Sequence, residues 1–125
     1  MSIITDNKVL VHIFSGLESK NQVTLGLLVA LTAEKKDHKV TLFLAGDAVH
    51  ILNCNKSGEI VGQGTGDLYE HLENLKKSKV TIYVSGMSAK SRGYDETLLD
   101  GYEAEFVLPD VLVEESIKAD SVLCY

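Results

Sequence analysis

The densest run of chemistry-bearing side chains is Ser85-Gly-Met-Ser-Ala-Lys-Ser-Arg92, where Ser85 and Ser88 stand close to Lys90 and Arg92 around Gly86. A loop that leaves a parallel strand and opens a helix turns its N–H groups to the positive end of the helix dipole. Such a loop could hold a sulfate, a phosphate or a carboxylate. A plainer use competes with this: Ser85 and Ser88 cap the helix, while Lys90 and Arg92 are solvated or pair with acidic neighbours. Asp47 and His50, three apart, could meet on a short helix as an acid–base pair, or merely make a helix-start contact; no nucleophile adjoins them.

The remaining candidates are weaker. His12 interrupts an apolar run and reads as a hydrogen-bonded core or interface residue, and His38 and His71 read as surface residues. No pair of histidines shows metal-ligand spacing with a third ligand, so no metal is expected. Cys54 and Cys124 form no CxxC; Cys124 reads as a small buried hydrophobe and Cys54 as the thiol with a chance of exposure. Gly62-Gln-Gly-Thr-Gly66 lacks the preceding strand of a dinucleotide fingerprint and the Gly-Lys-Ser/Thr of a P-loop. No cofactor is implied.

Alternating strands and helices must position these groups. Lys8–Phe14, Val40–Ala45, Val80–Val84, Glu105–Leu108 and Ser121–Tyr125 read as five strands, the first three as near-continuous apolar runs of the parallel-sheet type. Residues 20–36 put Val23, Leu27, Ala30, Leu31 and Ala33 at helical spacing, with cations in the last turn. Asp47 is expected to cap a short helix through Leu52. Residues 53–66 read as a glycine-rich surface loop, and 67–77 as a helix on Leu68, Leu72 and Leu75. A short turn through Ala89 ends at Arg92-Gly93, and Thr97–Leu99 suggests another. Pro109 starts a last helix, 110–118, expected to turn Val111, Leu112 and Ile117 inward. The pattern is that of one open α/β domain, residues 1–125, with a parallel sheet covered on both faces.

With 125 residues, 45% hydrophobic and 24% charged, the chain fits a single globular domain. Its formal charge of −6 argues against nucleic acid or an anionic membrane as partner, though not against a local anion site. No apolar run approaches the roughly 20 residues of a spanning helix, and Met1–Lys8 has no signal-peptide character, so a cytoplasmic protein is expected.

Val40-Thr-Leu-Phe-Leu-Ala-Gly-Asp-Ala-Val-His50, Ile82-Tyr-Val-Ser-Gly-Met-Ser-Ala-Lys-Ser-Arg-Gly93 and the close Ala119-Asp-Ser-Val-Leu-Cys-Tyr125 resemble the DsrE/DsrF-like family over nearly the whole chain. The resemblance implies a small flavodoxin-like five-stranded α/β domain that assembles into trimers or hexamers. Its better-known members carry sulfur as a cysteine persulfide in relays. In those members a cysteine ends the strand before the glycine, where this chain has Ser85. A serine hydroxyl cannot form a persulfide, so no catalytic residue is assigned.

If the strands run in the flavodoxin order 2-1-3-4-5, Ser15-Gly16 and Ser85-Gly86 flank one crevice with Asp47 at its edge. The ligand-facing set is then Ser15, Gly16, Asp47, His50, Ser85, Gly86, Ser88, Lys90 and Arg92. The expectation is a non-catalytic homo-oligomer that binds a small anion or a sulfur-relay partner protein. A persulfide carrier using Cys54, or less readily Cys124, is the alternative. A serine-nucleophile hydrolase ranks third, lacking a Gly-x-Ser-x-Gly elbow and a base partner.

Overall fold

The computed structural model describes residues 7–53 and 59–125. Five parallel strands form the main sheet: β1 (Lys8–Ile13), β2 (Lys39–Leu44), β5 (Thr81–Ser85), β6 (Ala104–Val107) and β7 (Ser121–Cys124). Helix α1 (Lys20–Lys35) joins β1 to β2. Helix α2 (Leu68–Lys77) precedes β5, α3 (Gly86–Ser91) follows it, and α4 (Pro109–Lys118) precedes β7. The 3₁₀ segments Gly46–Leu52 and Glu96–Leu99 complete the connections. Cys54 lies outside the described residues.

The sheet order is β6-β5-β2-β1-β7, not 2-1-3-4-5. β2 therefore lies between β1 and β5, and the crevice expected between their ends is bridged by the end of β2. From β1 to β6 every crossover steps one way, so right-handed connections place α1, α2 and α3 on one face. The step from β6 to β7 runs back past the whole sheet and puts α4 on the other.

Strand alternation separates the faces. Val11, Leu42 and Ile82 share a row, as do Ile13, Leu44 and Val84, and all six belong to the main core with Val23, Leu27 and Leu72 of the helices. The second face carries Leu10, Thr41 and Thr81, then His12, Phe43 and Tyr83. Leu10 and Phe43 are buried there but stand apart from the main cluster.

That face is thinly covered, and two expectations fail on it. No residue of α4 is buried, and Ile117 is 79% exposed rather than turned inward. Val111 and Leu112 are half-buried. Cys124 is exposed, because β7 is an edge strand with every residue open to solvent. The His12 ring lies between Phe14 (5.2 Å between centroids) and Phe43 (5.7 Å), with its Nε2 buried and without a partner. It is thus packed rather than hydrogen-bonded through Nε2, and burial holds its pKa below the usual 6.5.

Residues 61–67 form a small antiparallel hairpin, β3 (Val61–Gly62) and β4 (Gly66–Asp67), laid on the first half of α1. Thr24 and Thr65 hydroxyls share a 2.6 Å hydrogen bond, and the Gln63 N–H donates to Asn21 Oδ1 at 2.8 Å. His71, expected at the surface, is buried; its Nε2 is 2.8 Å from the Thr65 carbonyl. Asp67 caps α2 by accepting from the N–H groups of Tyr69 and Glu70.

Candidate functional site

The site is built where β1, β2 and β5 end. β5 runs into α3 without a spacer, and Ser85, 9% exposed, is the N-cap: its Oγ accepts the Ser88 N–H at 3.1 Å. The Ser88 hydroxyl in turn accepts the Gly46 N–H at 2.9 Å, tying the start of α3 to the end of β2. Gly46 adopts φ +59°, a left-handed turn in which glycine is unstrained. Gly93, at φ +83°, ends the α3 segment as expected.

Asp47 does not cap the segment Gly46–Leu52, whose N-cap is Ala45 with no side-chain bond. Its Oδ1 instead receives Arg92 Nε at 3.0 Å and the guanidinium NH2 at 2.9 Å. Arg92 also donates to the Ser88 carbonyl and to Ser91 Oγ. The pair is solvent-exposed, so its worth is about 0–1 kcal/mol, enough to orient the guanidinium but little more. His50 does not meet Asp47 in an acid–base pair. Its Nδ1 lies 2.6 Å from the Tyr94 hydroxyl, and that hydroxyl accepts from Asn53 Nδ2 at 3.2 Å.

Gly16 is brought to this edge too. A Cβ there would lie 2.7 Å from both Asp47 Cβ and Glu18 Oε2, so only glycine lets the β1 loop settle against Asp47. Ser15 points to Gln22, at 3.4 Å, and Lys90 is exposed. A Cβ on Gly86 would make ordinary contact, at 3.4 Å, with Phe106 Cβ. The fold therefore gathers Gly16, Asp47, Ser85, Gly86, Ser88 and Arg92 at one edge, while Ser15 and His50 turn to other partners.

Sequence reasoning passed over Glu18 and Tyr94, which belong to no motif. Their roles come from the loops that carry them, not from spacing. Chemically, the edge offers a capped serine, a guanidinium engaged by a carboxylate, and a second carboxylate at Glu18. Among the described residues, no histidine or lysine hydrogen-bonds Ser85 as an activating base would. No group of three or more metal-ligating side chains occurs among the described residues.

The capping geometry makes a prediction. Ser85→Ala should cost about 1 kcal/mol in urea unfolding, the usual worth of an N-cap, because the Ser88 N–H loses its acceptor. A loss below a few tenths would mean that the hydroxyl is held for another purpose.

Fold and site together define a small α/β domain whose strand-end loop is locked by serine caps and one ion pair. The chain belongs to the DsrE/DsrF-like family, whose model matches residues 8–125. The crystal structure of the ychN protein from E. coli superposes with a TM-score of 0.74 at 19% identity, covering 95% of this chain and 99% of that one. The likeness extends the family match to the fold. No curated protein matches the chain. Among the described residues, no helix is long and apolar enough to cross a membrane.

Proposed function

We propose that this protein is a cytoplasmic, non-catalytic DsrE-like member of the sulfur-relay lineage. It acts as a homo-oligomer that binds a small ligand or a partner protein at the C-terminal edge of its sheet. The observation that carries this reading is the Ser85 Oγ, which accepts the Ser88 N–H as a helix cap. By resemblance, this is the position where sulfur-carrying relatives hold their thiol. A persulfide needs a thiolate to form a sulfur–sulfur bond, and a hydroxyl, with no histidine or lysine hydrogen-bonded to it among the described residues, offers neither the atom nor the charge. The described thiol, Cys124, is on β7, three strands away from β5 in the sheet order.

The second face supports assembly. Phe14, Val113, Ile117 and Val122 are all exposed, and no residue of α4 is fully buried in a single chain. Apolar surface of this kind is what closed symmetric contacts cover.

Intact mass spectrometry after incubation with inorganic polysulfide tests the chemistry. The chain with both Cys54→Ser and Cys124→Ser should gain no sulfur; a thiol-free chain that still takes up sulfane sulfur and hands it on overturns the reading. A gain in the wild type that Cys54→Ser alone removes would establish the carrier alternative instead. Light scattering on the eluting protein should show a trimer or hexamer, and a strict monomer at micromolar concentration would refute the assembly.

A further inference from the structure

Three strands that lie side by side begin with the same pair of residues: Lys8-Val9 in β1, Lys39-Val40 in β2 and Lys79-Val80 leading into β5. Val40 and Val80 belong to the main core and Val9 packs against it, so alternation puts the three lysines on the α4 face. Lys8 is the register partner of Lys39. Thr41 is that of Thr81, which sets Lys79 level with Lys39. Neighbouring strands are about 4.8 Å apart, so the three stems stand in a row spanning about 10 Å.

The row lines a cavity of about 680 Å³ at the N-terminal edge of the sheet, opposite to Ser85 and well within the range of small-molecule sites. Lys118, in the last turn of α4, faces the same cavity. His38 also lines it, and its Nδ1 is buried with no partner. Among the described residues the ion pairs are Lys76–Glu73 and Arg92–Asp47, so none of these four lysines is neutralised by one.

Three carboxylates share the lining, and two of them are engaged. Glu34 accepts the Lys79 N–H and Glu115 the Thr41 hydroxyl, each at 3.4 Å; Asp37 sits in the turn after α1 at φ +66°. Like charges in register across adjacent strands repel and destabilise a sheet. The lining thus sets four lysines against three carboxylates, a small positive excess in a chain with 12 basic and 18 acidic residues. An anion laid along the row relieves the repulsion between neighbouring lysines. A single phosphate would reach only part of a row this long, whereas a chain of linked phosphates follows it.

We infer that this cavity binds a small-molecule polyphosphate, with Lys8, Lys39, Lys79 and Lys118 contacting its phosphoryl oxygens. The site lies at the opposite edge of the sheet from the Ser85–Arg92 loop, shares no residue with it and is independent of that loop's role.

Titration calorimetry on the full chain at low salt, with inorganic tripolyphosphate as the probe, tests this. Saturable binding of one tripolyphosphate per chain is expected, with inorganic phosphate bound at least about tenfold more weakly. Lys39→Gln, in the middle of the row, should weaken tripolyphosphate about tenfold, and the Lys8→Gln, Lys79→Gln double variant further. Lys20→Gln, on the exposed start of α1, should leave it unchanged. ATP binding more tightly than tripolyphosphate would assign the site to nucleotides, and weaker binding would assign it to the inorganic chain. Absence of saturable binding, equal affinity for inorganic phosphate, or an equal loss in Lys20→Gln would each overturn the proposal, the last by exposing non-specific attraction.

Discussion

Phe43→Ala should destabilise the protein by about 3–5 kcal/mol in urea unfolding, the range for a fully buried phenylalanine. The ring is 2% exposed and meets His12 edge-on, with the planes at 90°. It lies on the face that α4 alone covers, where few side chains are placed to move into the hole. The same variant should let water reach the imidazole, so the His12 pKa should rise back toward its ordinary value in an NMR titration. The sign in the wild type follows from burial, which lowers the folded pKa beneath the unfolded 6.5. Between those two values the unfolded chain binds the extra proton, so this contribution is whole above pH 6.5 and is lost as pH falls below it. Phe43→Ala should shrink that slope. An unmoved His12 titration would show that Phe43 does not shield the imidazole.

Gly62→Ala should cost about 1–3 kcal/mol, the usual penalty for overfilling a packed contact. A Cβ at that position would fall on the hydroxyls of both Thr24 and Thr65, whose mutual hydrogen bond fastens the hairpin to α1. The hairpin should loosen, seen as faster amide exchange at Gln63, whose N–H is held by Asn21. Gly64→Ala is the control: a Cβ there meets nothing within 4 Å, so only its φ of +78° is penalised, by about 1–2 kcal/mol. Should Gly62→Ala expose no more of Gln63 than Gly64→Ala does, the close approach to Thr24 is not what seats the hairpin.

Much of the architecture was legible along the chain because its signals are local. The Leu68, Leu72 and Leu75 spacing became the buried stripe of α2, and Pro109 became the first residue of α4. The Ser-Gly step after β5 became the capped start of α3. Periodicity was a poorer guide on α4. Its apolar residues repeat at helical spacing, yet Ile117 faces solvent, since a repeat marks a face without saying whether the chain supplies anything to cover it. Cys124 failed as a core residue for a related reason: β7 lies at the sheet edge and the chain covers its faces too thinly to bury any of its residues.

The site divides in the same way. Ser85 as a cap is a relation over three residues and could be read from the sequence. The bond from Gly46 to Ser88 spans 42 positions and that from Arg92 to Asp47 spans 45, so no local pattern announces either. Both depend on β2 lying beside β5, which the flavodoxin order would not have given.

Residue type and spacing alone decided the five strands of the main sheet and the helices, that this sheet is parallel, and that the strand-end loop opens on an oxygen rather than a sulfur; the hairpin over 61–67, read as loop, was not among them. Tertiary structure alone decided the strand order, the partners of Asp47 and His50, and the alignment of Lys8, Lys39 and Lys79. The physical reason is one of range: backbone hydrogen bonding and side-chain alternation act over a few residues, whereas adjacency of strands is settled by which crossovers bury the most apolar surface together.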